Sequence, residues 1–196
     1  MAIVINGSGT VTGISVGGLP DGIVDDGTLA TDSVTAAKLK DDAIATGDLP
    51  AGSVIQVVTA TYSTNTVFSS TSYASSGLSC SITPASSSNK ILILYSGMCR
   101  AHANASHDAP RPMSIRIYRV TDTTAIITQN TNEVMVKTDT GVTKEGGWAW
   151  TQSFCTLDSP STASSVEYRI DGRVDNTAYR LSMNSQGSDS TLTLLE

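Results

Sequence analysis

Few side chains in this sequence are of a type and spacing that could do chemistry. The only two histidines, His102 and His107, share the loop-like stretch 100–112, with Asp108 beside the second. One histidine from each of several chains meeting on an axis could hold a metal such as zinc. A spacing of five, however, brings two ligands together on neither a helix nor a strand, and no cysteine or acidic cluster completes a ligand set. Loop histidines without metal are the favoured reading, and neither metal nor cofactor is expected. Glu133, Asp139 and Glu145 are close only in sequence, whereas acid–base work needs two carboxylates facing one another across a cleft. They read as solvated loop charge. The chain contains no Gly-x-Ser-x-Gly elbow, phosphate-binding glycine loop or metalloprotease helix, so no catalytic residue is named and no enzyme is expected.

Trp148 and Trp150 are both of the tryptophans, two apart, so a strand would turn both rings to one face. On an exposed face they are candidates for stacking on the sugar rings of a host-surface glycan. Phe154 continues the same parity, which makes core or intersubunit packing the simpler account. Cys80, Cys99 and Cys155 are an odd number at wide spacing, which suits free thiols in a reducing compartment.

The elements that position these residues follow from composition. Among 196 residues there are 27 Ser and 26 Thr, with only 15% charged and 5% aromatic. A β-branched, charge-poor chain favours strands and excludes a helical bundle or coiled coil. The net charge of −6 argues against nucleic acid or an anionic membrane as partner. The longest apolar runs, 54–58 and 91–95, are far short of a bilayer span, and residues 1–9 lack the basic start of a signal peptide, so folding in a cytosol is expected.

The chain divides in character near Ser53. Residues 1–53 hold seven Asp, two Lys, nine of the 16 Gly and no aromatic residue. Such a segment cannot build a core alone. It carries a repeat, however: Leu19, Val24, Leu29, Val34, Leu39, Ile44, Leu49 and Val54 recur every five residues, and Leu alternates with a β-branched residue. Period five matches neither helix nor strand, so each unit must turn, with a short helical turn expected around 35–39. One apolar residue in five cannot enclose a seam within one chain, whereas parallel copies around a three-fold axis could bury a layer at each position. These eight residues are the expected packing positions of a trimeric stalk, 19–53, preceded by an arm, 1–18.

From Val54 the period becomes two. Strands are expected at 53–62, 66–69, 78–83, 90–97, 113–120, 125–128, 133–137, 148–156, 166–170, 179–183 and 192–194, separated by Ser/Pro/Asn-rich turns. The spacing predicts an all-β chain whose head, 54–196, is an antiparallel β-sandwich of jelly-roll-like type.

Two sets of residues carry a resemblance. Ile5-Asn6-Gly7-Ser8-Gly9-Thr10-Val11-Thr12-Gly13-Ile14, Leu19-Pro20-Asp21-Gly22 and the Asp-Ser-Val-Thr-Ala-Ala-Lys-Leu unit at 32–39 look like the arm and stalk of tailed-bacteriophage fibre and virion structural proteins. Gly77-Leu78-Ser79, Ile82-Thr83-Pro84, Asn89-Lys90-Ile91-Leu92, Leu157-Asp158-Ser159-Pro160, Tyr168 and the Leu192–Glu196 end resemble the C-terminal domain of fibre-like proteins in phages of cyanobacteria and related bacteria. The resemblance implies a homotrimeric virion appendage assembled in the bacterial host cytoplasm. Its N-terminal arm would dock on tail, portal-proximal or capsid components. Its sandwich would point outward, with a receptor- or carbohydrate-binding role for host-surface glycans as the alternative. The family brings no motif-defined catalytic residues.

Overall fold

The computed structural model describes residues 4–5, 11–12, 31, 33–35, 39, 44–45, 48–50, 52–103, 113–131 and 148–196. They belong to two compact units, Met1–Leu49 and Pro50–Glu196. In the first, β1 (Val4–Ile5) pairs antiparallel with β2 (Val11–Thr12). Between the repeat positions Ile44 and Leu49, the Asp48 N–H donates to the Ala45 carbonyl at 2.9 Å, and Asp48 Oδ2 accepts from the Ala45 N–H at 2.9 Å. Backbone and side chain of Asp48 thus both tie back to Ala45. The turn expected around 35–39 falls largely outside the described residues.

The second unit holds β3 (Val57–Tyr62), β4 (Thr66–Phe68), β5 (Ala74–Ile82), β6 (Ile91–Ala103), β7 (Met113–Arg119), β8 (Thr124–Thr131), β9 (Trp148–Asp158), β10 (Val166–Val174), β11 (Tyr179–Met183) and β12 (Ser190–Leu195). One sheet has the order β5-β10-β7-β8. The other runs β3-β12-β6-β11-β4, with β9 along the opposite edge of β6. Every pairing is antiparallel. The chain passes between sheets at β4–β5–β6–β7 and again at β8–β9–β10–β11, so the molecule is an all-β antiparallel sandwich, as the alternation predicts.

Alternate residues of both sheets form the core. Leu78, Ile82, Ile115, Ile117, Tyr168 and Ile170 meet Ile91, Ile93, Tyr95, Leu181, Leu192 and Leu194. Side chains that leave water here each contribute about 1.5–3 kcal/mol, which is what holds two sheets face to face.

Several strands exceed their expected lengths. The 90–97 strand continues to Ala103 because Gly97 is a packing residue, not a terminator: a Cβ there would collide with the Ser190 hydroxyl and the Tyr95 hydroxyl. β5 begins at Ala74, before an irregularity. Its pairing with β10 jumps from Ser79–Arg169 to Ser75–Asp171, and Gly77 sits there at φ 91° with the Tyr62 ring where a Cβ would be. The expected strand at 133–137 lies outside the described residues.

Candidate functional site

Five of the eight repeat residues are described, and all are exposed: Val34 at 51%, Leu39 at 44%, Ile44 at 56%, Leu49 at 39% and Val54 at 58%. Leu19, Val24 and Leu29 lie outside the described residues. Among the described residues nothing covers these apolar positions, although their spacing is regular.

The candidates for chemistry are scattered. His102 lies in β6 opposite Arg180 of β11, while His107, Asp108, Glu133, Asp139 and Glu145 lie outside the described residues. Among the described residues no group of three or more His, Cys, Asp or Glu could hold a metal ion. Trp150 of β9 is half-buried, packs against the core cluster, and its Nε1 donates to Gln152 Oε1 at 3.4 Å. The Trp148 backbone is in the same strand and its side chain is outside the described residues. The three cysteines are free thiols, Cys80 and Cys99 buried and Cys155 exposed. Burial pushes the Cys80 thiol up, and that of Cys99 up to about 12.

What the tertiary structure does assemble is a ladder of arginines and tyrosines on the outer face of the four-stranded sheet. Antiparallel register sets Arg116 opposite Asp171 and Tyr118 opposite Arg169. The Arg116 guanidinium lies 4.1 Å from the Tyr73 ring centre and 4.1 Å from that of Tyr118. Arg169 lies 5.4 Å over Tyr118, and Arg173 lies 4.8 Å over Tyr73. Asp171, fully buried, accepts from Arg116 Nε and Nη2 at 3.1 and 2.9 Å and from Arg169 Nε at 2.7 Å. Hydrogen bonding to Asp171 raises the Arg169 pKa. Arg173 pairs with Asp175 at 3.0 Å. The guanidinium groups lie between carboxylates and rings, so the ladder pins the Tyr73 segment to the sheet. Alternation between acid, base and aromatic types in β7 and β10 was its sequence signal. Tyr73, distant in sequence, carried none.

Two further clusters explain residues that carry the family resemblance. Asp158 accepts from the Tyr168 hydroxyl at 2.6 Å and from Arg119 Nη1 at 2.6 Å, which links the edge of β9 to the opposing sheet. Burial, then the Asp158 carboxylate, raises the Tyr168 pKa, and the hydrogen bond to Asp122 raises that of Arg119. At the same end of the six-stranded sheet, where Leu195 and Leu157 flank Leu92, the Glu196 carboxylate accepts from Asn89 Nδ2 at 2.6 Å, from the Ala85 N–H at 2.8 Å and from the Gln56 side chain. Burial opposes the charged form of Glu196, but the hydrogen bonds from Asn89, Gln56 and Ala85 outweigh it and hold the carboxyl below its usual range. Both motifs thus serve to close the sandwich.

The fold defines the class as an antiparallel β-sandwich joined to a repeat segment. No protein-family model matches the chain, and no curated protein matches it. Among solved structures it is similar to VP2 of the infectious bursal disease virus subviral particle, with a TM-score of 0.31 and 11% identity over 71% of this chain and 36% of that one. The infectious bursal disease virus Gx strain gives a TM-score of 0.30 and 14% identity, over 71% and 39%. The chain therefore spans well under two thirds of either relative. Similarity of this size carries no argument about function.

Proposed function

We propose that this chain is a non-enzymatic structural protein of a tailed-phage virion, a short homotrimeric fibre whose repeat packs copies together and whose sandwich is displayed. The observation that carries this reading is the uniform exposure of Val34, Leu39, Ile44, Leu49 and Val54 at a spacing of five. Regularly spaced Leu and β-branched side chains left in water are the pattern of a repeat whose apolar layer is completed by other copies. The arm and stalk motifs that resemble phage fibres supply the setting, with docking through the N-terminal arm to other virion proteins. Trp150 is half-buried against the core, which counts against its part in the glycan-binding alternative, while the Trp148 side chain lies outside the described residues.

Sedimentation equilibrium tests the proposal. The protein is expected at three times its chain mass of 20.4 kDa, and the Leu29→Asp/Leu39→Asp double variant at the mass of one chain. A monomeric wild type, or a variant that stays trimeric, overturns it.

A further inference from the structure

The outward face of the six-stranded sheet differs in kind from that of its partner sheet. Register sets Val57 of β3 beside Leu195 of β12, Leu195 beside Leu92 of β6, and Leu92 beside Leu157 of β9. Four strands thus contribute one continuous apolar row. Val57 is 57% and Leu157 55% exposed, so neither is a misplaced core residue. The next row in the same register reads Thr59, Thr193, Leu94 and Cys155, and the row after that holds only Ser and Thr. No charged side chain stands in these rows. The four-stranded sheet, by contrast, covers its outer face with the Arg–Tyr ladder and its carboxylates.

We propose that these three uncharged rows, led by Val57–Leu195–Leu92–Leu157, pack against a second copy of the same chain, while Arg100 and Arg180 stand farther along the same sheet face. The inference rests on the trimer reading and adds the head surface that takes part in it. Continuity selects a copy of this chain as the occupant: Val54, the last position of the five-residue repeat, is 58% exposed and stands three residues before Val57. Under the trimer reading copies meet at Val54, and the roughly 10 Å of chain from there to Val57 sets the sheet row beside that contact. Neutrality agrees with this choice, because residues near a three-fold axis lie close to their own symmetry copies, and these rows bring no like charges together there. Size sets its role. Four strands at ~4.8 Å and three rows at ~6.8 Å outline a patch of about 400 Å², roughly half of what each partner buries in a self-sufficient interface. The face therefore supplements the repeat and does not hold the assembly alone.

Cys155, exposed in the single chain and one row from Leu157, is a built-in reporter, while Cys80 and Cys99 are buried and poorly ionised. Maleimide labelling of the native full-length protein reads the face directly. In the assembled wild type Cys155 is expected to label at least about tenfold more slowly than in Val57→Lys/Leu157→Lys, which should keep the trimer mass. In Leu29→Asp/Leu39→Asp, Cys155 should label as an open thiol. A trimeric wild type whose Cys155 labels at the open rate overturns this inference, leaves the trimer reading standing and opens the face to a different partner. A monomeric wild type overturns both. The wild-type labelling rate decides the matter even if the lysine variant does not fold.

Discussion

Removal of the Asp171 carboxylate is the most informative test of the Arg–Tyr ladder. Asp171→Ala takes away the acceptor of hydrogen bonds from Arg116 at 3.1 and 2.9 Å and from Arg169 at 2.7 Å. Breaking a buried ion pair from one side costs about 3–5 kcal/mol, because the remaining charge is left uncompensated. Here the Asp171 side chain is 1% exposed, but those of Arg116 and Arg169 are 19% and 30% exposed, so both guanidinium groups can turn partly to water. That relief lowers the expected cost to about 2–3 kcal/mol. For a unit the size of Pro50–Glu196, about 3 °C per kcal/mol converts this to a fall in Tm of about 6–9 °C. Asp171→Asn keeps the shape and one acceptor but loses the charge and aims an amide donor at a guanidinium, so its cost should be about 1–2 kcal/mol. The assay is thermal unfolding followed by near-ultraviolet circular dichroism, since the ladder holds Tyr73 and Tyr118 in fixed surroundings. An Asp171→Ala protein that melts within about 2 °C of wild type would show that the ladder is a surface decoration and refute this reasoning.

Two further outcomes are expected. Gly97→Ala should lose about 1–3 kcal/mol in urea unfolding as its Cβ displaces the Ser190 and Tyr95 hydroxyls, whereas Gly187→Ala, at φ 75° with open space around it, should lose only about 1 kcal/mol of backbone strain; equal losses would refute the close-packing account of Gly97. Glu196 has a folded pKa below its ordinary 4.5, so its contribution is complete above that value and is lost as pH falls through the folded pKa. Glu196→Gln should thus be less stable than wild type at pH 6.5 and closer to it at about pH 3.5, and a gap that does not narrow on acidification would contradict the Asn89–Gln56–Glu196 clamp.

The sandwich was legible because its signal is local: the two-residue alternation in β10, β11 and β12 reports which face each side chain takes before any partner strand is known. The same logic failed at Gly97 and at Ala74–Gly77. A glycine in a strand has no side chain to show parity, and its purpose, room for Tyr95 and Ser190 or for the Tyr62 ring, is set by residues distant in sequence. The candidate site divides likewise. Five-residue spacing marked Val34, Leu39, Ile44, Leu49 and Val54 as apolar positions that one chain cannot enclose, because spacing is a property of the chain itself. Trp148 and Trp150 were equally visible as a pair, but nothing local could decide whether Trp150 faces sugar or core.

Sequence by itself therefore determined the class of each segment: an apolar-spaced repeat without aromatics, followed by alternating strands rich in Ser and Thr. Tertiary structure alone decided which residues meet. Tyr73, just before β5, joins Arg116 of β7, Asp158 finds Tyr168 and Arg119, and Val57, Leu195, Leu92 and Leu157 align into one row because antiparallel register, not sequence proximity, sets cross-strand neighbours. Periodicity fixes which face a side chain takes. Only the pairing of strands gives that face a composition, and here it gathers arginines, carboxylates and tyrosines on one sheet and an exposed apolar row on the other.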